Sequence, residues 1–578
     1  MRQTLSQLWS LFTPAEKRKA ILMLVLALCM AVTEMVGVLS IMPFLSVLAR
    51  PEVIQENPWL QSVFTVLGFT EHSLFIMTLG VISIGLVISA SVFKAFTQHQ
   101  LNRFVHMLRH SISNRLMGRY LGQPYDFFLS RNSAELSKSI LAEVDMLMSG
   151  MIQPMSQVIT QGIVLLGMLA LVFTYSPLTA LCIVLVVGSL YGIMYKLVRQ
   201  RLRRMGEEIR AANKERYQTC NEALHGIRDI KVTHAEAVYL QRYSQASRTQ
   251  ARHLAASDTL SQTPLYFVEA TGYTGLILIA VALLASSGDV AHVLPALGLY
   301  GFAAYRMLPA AQIMYRGIAR LKFASATLEH IYCDMLLPVE TYQLANITLL
   351  PLPLRHEIRL EDISYAYPSS AGKFVLKNFN LVIPAYTSLG IAGASGAGKS
   401  TLMDLMLGLL QPQSGRVLVD GVPINSNNLK QWQKTIGYVP QQIYMADASV
   451  AENIAFGIPK DQIDMQAVER AARNAQIHDF VIQELPEGYA TLVGDRGIRL
   501  SGGQRQRLGI ARALYRDPAV LFMDEATSAL DNDTEKALIS SLDLLAATKT
   551  IIFISHKESL FTKNCKKIVI PSNSKISS

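Results

Sequence analysis

Six stretches of the chain are predominantly apolar over some 20 residues or more, at roughly 20–48, 74–98, 151–174, 177–198, 264–287 and 291–315. That is the length a helix needs to cross a bilayer. Two pairs are tight hairpins: Ser176-Pro177 divides the third stretch from the fourth, and Ser286-Ser287-Gly288-Asp289 divides the fifth from the sixth, both with turn chemistry. Two polar spans, roughly 99–150 and 199–263, are far longer. They are rich in Arg, Glu and Gln with recurring Leu, Ile and Val, and are expected to be helices that run on into water. The link 51–69 holds Pro58-Trp59-Leu60 with Val63, Phe64 and Leu67; it reads either as a short amphipathic helix at the outer interface or as an ordinary loop. Beyond about residue 316 the pattern turns amphipathic and then proline-rich, with Pro338, Pro351 and Pro353. After that, short β-branched runs alternate with helices, the mark of an α/β domain. The expected organisation is a membrane domain over 1–335, a linker over 336–356 and an α/β domain over 357–578.

Composition agrees with that division. The 578 residues are 51% hydrophobic and only 17% charged, and the apolar excess lies before about residue 320. The net charge is +10, with cations clustered beside apolar runs: Lys17, Arg18 and Lys19 before the first, Arg199, Arg201, Arg203 and Arg204 after the fourth. This is the positive-inside pattern. It puts the N-terminus, both long polar spans and everything after residue 316 in the cytoplasm. No reading-head motif accompanies the charge, so nucleic acid is not expected as a partner. The five cysteines, Cys29, Cys182, Cys220, Cys333 and Cys565, are scattered and lack metal spacing. The first apolar run is too long for the h-region of a cleavable signal.

Chemistry is concentrated in the α/β domain. Gly393-Ala394-Ser395-Gly396-Ala397-Gly398-Lys399-Ser400, followed by Thr401, fits the P-loop pattern, with apolar Leu389 to Ile391 before it and Leu402 to Leu410 after it. Glycines let backbone N–H groups curl around phosphate, and the helix N-terminus adds its positive dipole end. Lys399 is expected to reach the terminal phosphates of ATP, and the Ser400 hydroxyl to hold Mg²⁺. A second strand, Ala519 to Met523, ends in Asp524-Glu525. Asp524 is placed to hold the metal, and Glu525 to act as general base on the attacking water.

Leu500-Ser501-Gly502-Gly503-Gln504-Arg505-Gln506-Arg507 matches the signature motif of the ABC transporter family letter for letter. The domain resembles that family in the order of its other motifs over roughly 357–560. The resemblance implies that Tyr367 stacks on adenine and that Gln441, in Pro440-Gln441-Gln442, is the Q-loop glutamine that can join the metal's ligands. It implies that Asp531, in Ser528-Ala529-Leu530-Asp531, belongs to the D-loop, and that His556 is the switch histidine on the γ-phosphate. It also implies that Ser501, Gly502, Gly503 and Gln504 of one subunit complete the P-loop site of another, so a homodimer is expected, and a closely related partner chain would fit as well. The ending after His556, Lys563-Asn564-Cys565 and then Lys567 to Ile570, is shorter than the family's usual one.

The membrane half is similar to six-helix ABC exporters, in which the two long cytoplasmic spans carry short coupling helices. Here these are expected near Gln123 to Arg131 and near His225 to His234. Glu34 with Gly37 and Pro43-Phe44, Gln123-Pro124-Tyr125 with Arg131-Asn132-Ser133, and Ala304 to Pro309 resemble the bacterial flippases of lipid-linked oligosaccharides. The expected fold is thus a six-helix membrane bundle plus an α/β P-loop ATPase, in the bacterial inner membrane with the ATPase cytoplasmic. The expected activity is ATP-driven export of an amphiphile across the bilayer. The resemblance favours a polyprenyl-pyrophosphate-linked oligosaccharide; lipid A, a phospholipid or a drug is the alternative. A soluble ABC ATPase is disfavoured by the six spans, and a peptide-processing exporter by the lack of a Cys/His peptidase region before the first span.

Glu34, Glu269 and Arg306 fall inside apolar stretches, where each charge costs about 2.5–3.5 kcal/mol on insertion scales. Such residues read either as a Glu–Arg pair that joins helices or, for Arg306, as a partner of an anionic head group. His99, Arg103, His106 and His110 share one helical face. They form either a solvated cytoplasmic face or a cationic wall for phosphate.

Overall fold

The computed structural model describes residues 2–49, 51–66, 68–69, 71–175, 177–287, 290–323, 325–338, 350–367, 373–494, 497, 500–527, 532–555 and 565–570. The chain divides into two compact units, Met1–Gln123 with Ser133–Tyr342, and Pro124–Asn132 with Gln343–Ser578.

The first unit is helical. Helix α1 (Arg2–Leu11) precedes α2 (Pro14–Ala49). The start of α2 is a reciprocal cap: Thr13 N donates to Glu16 Oε2 at 2.7 Å and Glu16 N to Thr13 Oγ1 at 3.3 Å. Proline at the first helical position adds a preset φ. Next come α3 (Val53–Glu56), α4 (Pro58–Val66) and α5 (His72–Leu121). The outer link is therefore helical, as one of its two readings required. Leu60 and Phe64 pack on Val47, Ile54 and Phe75, while Trp59 stays 82% exposed.

After α6 (Tyr125–Ser130), helices α7 (Ser133–Lys138), α8 (Val144–Leu147) and α9 (Gln153–Tyr175) join through two π-helical turns, Ser139–Glu143 and Met148–Ile152. Then follow α10 (Pro177–His225), α11 (Ile227–Thr233), α12 (Glu236–Ser287), α13 (Val290–Phe323) and α14 (Ser325–Met335). Short helices thus stand at both positions expected for coupling helices. Among the described residues four helical stretches are long and apolar enough to cross a membrane: Pro14–Ala49, His72–Leu121, Glu135–Thr174 and Ala180–Val198. The fifth and sixth expected spans fall within α12 and α13.

Membrane helices approach where side chains are small. A Cβ on Gly37 would sit 3.7 Å from Ala90 Cβ of α5, and Ser83 Oγ donates to the Ser40 carbonyl at 2.8 Å, the pattern of helix association without a hydrophobic drive. Leu22, Leu24, Val25 and Leu28 of α2 are exposed, as lipid-facing positions should be.

The second unit is α/β. An antiparallel sheet, in the order β2-β1-β4-β5, uses β1 (Glu357–Tyr365), β2 (Leu376–Pro384), β4 (Ser414–Val419) and β5 (Val422–Pro423). A parallel sheet, in the order β6-β7-β8-β3-β9, uses β3 (Ser388–Gly393), β6 (Ile436–Val439), β7 (Val520–Asp524), β8 (Thr550–Ile554) and β9 (Cys565–Ile570). The helices are α15 (Lys399–Met406), α16 (Leu429–Thr435), α17 (Val450–Ile454), α18 (Met465–Asn474), α19 (His478–Gln483), α20 (Gly502–Leu514) and α21 (Asn532–Ala546). All five residues of β7 are buried, as in a strand covered on both faces. Its alternation sorts two cores. Val520 and Phe522 pack with Leu402 and Met406 of α15, whereas Leu521 and Met523 pack with Leu508 and Ile510 of α20. The period of two along a strand therefore puts α15 and α20 on opposite faces of one sheet.

Candidate functional site

The P-loop joins β3 to α15. Gly398 has φ +94°, and a Cβ there would lie 2.9 Å from Val375 Cγ1; both sterics and backbone demand glycine. Ala394, Ser395 and Gly396 form an exposed rim, while Ala397, Gly398 and Lys399 are buried. The Lys399 ammonium donates to the carbonyls of Gly393 at 2.9 Å and Ala394 at 3.0 Å, which holds it against the loop. Tyr367 reaches the first turn of α15, its hydroxyl 2.9 Å from Thr401 Oγ1.

Asp524 ends β7 and is 8% exposed. Burial, reinforced by the neighbouring Glu525, pushes its carboxyl above the usual range, against the pull of Lys399 and a hydrogen bond from Ser400. Glu525 takes a left-handed backbone, φ +48°, rare for a non-glycine residue and common at functional sites. Its N–H donates to the Ile554 carbonyl at 3.0 Å, and Gln441 Nε2 donates to its Oε2 at 2.8 Å. The structure thus brings Ser400, Asp524, Glu525 and Gln441 together at one end of the parallel sheet. This all-oxygen set of hydroxyl, carboxylate and amide, with two acids side by side, suits a hard divalent cation such as Mg²⁺.

Ser501 caps α20. Its N–H donates to Gln504 Oε1 at 2.8 Å and its Oγ accepts from Gln504 N at 3.2 Å, a complete capping box. Gly502 and Gly503 open the helix, whose free N–H groups can face an anion. Because α20 and α15 pack on opposite sheet faces, Ser501 to Gln504 are not part of the cluster around Lys399. Asp531 and His556 lie outside the described residues.

Two residues near the nucleotide cluster escaped the motif reading. Asp404, on α15, has its pKa pushed up to about 6 by burial and by Asp524. Tyr365 donates to Asp126 Oδ1 of α6 at 3.3 Å. Neither lies in a motif, and their proximity arises only on folding.

In the membrane half, Glu34 is 3% exposed. Its Oε1 lies 3.0 Å from Arg306 Nη2 and 3.1 Å from Lys94 Nζ. The approach is ionic: no donor meets Oε1 in hydrogen-bond geometry. Arg306 therefore pairs with Glu34, and Lys94 shares the same oxygen. Lys94 carried a signal that could have been read, being a lysine inside the second apolar stretch. Arg103, with His99, His106 and His110, is exposed on the face of α5 opposite buried Leu101, Val105, Leu108 and Ile112.

The chain matches the family described as "ABC transporter" over residues 376–528 and that described as "ABC transporter transmembrane region" over residues 19–294. It is 31% identical over 474 residues to an ATP-dependent lipid A-core flippase of Chromohalobacter salexigens, covering 81% of this chain and 78% of that protein. It is 28% identical over 562 residues to a protein of the same name from Xylella fastidiosa, covering 96% and 90%. Among solved structures it resembles a bacterial Atm1-family ABC exporter with ATP bound, at a TM-score of 0.74 and 20% identity over 97% of this chain and 94% of that one. That last likeness speaks for the fold alone.

Proposed function

Because the chain belongs to the ABC transporter family, in the exporter form that fuses a membrane region to an ATPase, we propose that it works as a homodimeric flippase that moves a lipid A-type glycolipid across the bacterial inner membrane. The observation that carries the substrate class is the likeness to lipid A-core flippases over most of the chain. It favours that class over the polyprenyl-pyrophosphate-linked oligosaccharide expected from the membrane-half motifs.

In this reading Tyr367 stacks on adenine. The loop from Gly393 to Gly398, with Lys399 and Thr401, cradles the phosphates. Ser400, Asp524 and Gln441 hold Mg²⁺, which when bound neutralises phosphate charge. Glu525 takes a proton from the attacking water, and Gln441 orients its carboxylate through the 2.8 Å bond. His556 contacts the γ-phosphate and Asp531 faces the partner. The sheet topology supports the dimer. One chain holds its P-loop and its signature helix on opposite faces of a sheet, so a second copy is needed to bring a signature to each P-loop, by isologous pairing. Lys and Arg beside the spans support a cytoplasmic ATPase.

Arg306 and Lys94 face one carboxylate, which leaves one positive charge in excess for an anionic head group. Arg306 can fork to phosphate oxygens, Glu34 serves as counter-ion, and Arg103 extends the cationic surface on the cytoplasmic side. The test is ATP hydrolysis and translocation in reconstituted vesicles. Lipid A should stimulate both. Stimulation by polyprenyl-pyrophosphate-linked oligosaccharide without any by lipid A would overturn the substrate assignment.

A further inference from the structure

The chain passes between its two units three times, after Gln123, before Ser133 and after Tyr342. On the membrane side, the segments flanking the first two crossings are fastened to α14 and to the two or three residues after it, from which the third connector leaves. Ahead of the first, Tyr120 Oη donates to Asp334 Oδ2 at 2.6 Å. Arg119 Nη1 donates to the Leu337 carbonyl at 2.7 Å, and Gln123 Nε2 to the Pro338 carbonyl at 2.7 Å. Beyond the second, Glu143 Oε2 lies 2.7 Å from His330 Nδ1 of α14. The third connector leaves this unit by way of α14, which ends at Met335.

These ties are not surface decoration. Tyr120 and Asp334 are each 2% exposed, and a phenol donating to a buried carboxylate at this distance is a charge-assisted bond. Beneath them Leu328 and Ile331 of α14, Leu116 of α5 and Leu147 of α8 are fully buried. The segment after the second crossing carries both π-helical turns, an irregularity that recurs at functional sites.

If the three connectors could bend separately, a movement of the ATPase would be absorbed locally. Fastened to one helix, they must shift together. We propose that α14 is the transmission hub of this protein, and that Tyr120, Asp334 and His330 with Glu143 are positioning residues that make the membrane helices respond to nucleotide as one body. The proposal rests on the chain being an ATP-driven exporter, but it does not depend on which lipid is carried.

The experiment uses the full-length protein with its five cysteines replaced and a spin label at Ser62 in α4. The readouts are ATP affinity and the ATP-induced change in label accessibility. Tyr120→Phe and Asp334→Asn should each leave ATP affinity within about twofold and cut the label response about threefold or more, within the range of residues on a coupling path. The double variant should be no worse than either single one, because the two residues share one bond. A full response from both single variants overturns the proposal, as does a parallel loss of ATP affinity and response, which would mark a merely structural role. Should either variant fail to fold, Gln123→Ala and Arg119→Gln remove the bonds to the Pro338 and Leu337 carbonyls near the surface, and an undiminished response from both is equally fatal. A protein whose label responds to ATP while lipid A stimulates nothing would refute the substrate assignment and leave the hub standing.

Discussion

The three charges around Glu34 make a sharp prediction about which one the membrane unit cannot lose. Each cation lies 3.0–3.1 Å from Glu34 Oε1, and at an effective dielectric constant near 20 such a pair attracts by about 5 kcal/mol before desolvation is counted. The partners are unequal in burial: the Glu34 side chain is 1% exposed, Arg306 25% and Lys94 37%. Removing Arg306 leaves Glu34 still neutralised by Lys94, and removing Lys94 leaves it with Arg306. Either single loss should therefore cost about 1–3 kcal/mol, less than breaking a buried ion pair outright, because one cation still faces the carboxylate. Glu34→Gln instead strands both cations, and Lys94→Ala with Arg306→Ala strands a buried carboxylate; each should cost about 3–5 kcal/mol, as breaking a buried pair does. Thermal unfolding in detergent reads this directly. Glu34→Gln and the double variant should fall furthest, by roughly 5–15 °C, with each single cation variant within a few degrees of the parent. An Arg306→Ala protein as unstable as Glu34→Gln would refute the shared-carboxylate reasoning. If Arg306→Ala folds as expected, an assay for translocation of lipid A, the proposed substrate, then tests the head-group role.

Glu525→Gln should bind ATP normally and lose turnover by about 10²–10⁴-fold, the usual contribution of a general base; more than about a tenth of parental kcat in a single-turnover assay would sink the assignment. Ser501→Arg in one subunit of a tagged heterodimer should impair nucleotide occlusion at the other subunit's P-loop, and a loss confined to its own P-loop would contradict the shared site. Asp404 has a folded pKa raised to about 6, so its protonated form is favoured in the fold. Its contribution to stability is complete at low pH and fades as pH rises through about 6, and Asp404→Asn should flatten that part of the stability profile in chemical denaturation. An unchanged profile would mean that Asp404 stays ionised.

Much of this protein is legible in its sequence because the signals are local. Twenty apolar residues in a row must leave water whatever surrounds them, so the membrane stretches follow from hydropathy. Gly396 and Gly398 mark a loop whose backbone only glycine tolerates. Ser501 and Gln504, three residues apart, form their capping box within a single helical turn. Other features depend on residues remote in the chain and arise only when side chains pack. Nothing local says that Lys94 and Arg306 converge on one oxygen of Glu34, since that needs α2, α5 and α13 at a particular rotation. The period of two along β7, not any motif, puts the P-loop helix and the signature helix on opposite faces of one sheet. The 2.6 Å bond between Tyr120 and Asp334 spans 214 residues of sequence. A sequence sets what each segment must bury, expose or turn, because those demands act over a few residues. Which buried groups meet is decided by the packing of whole helices and sheets, where a rotation of one helix replaces one set of partners with another.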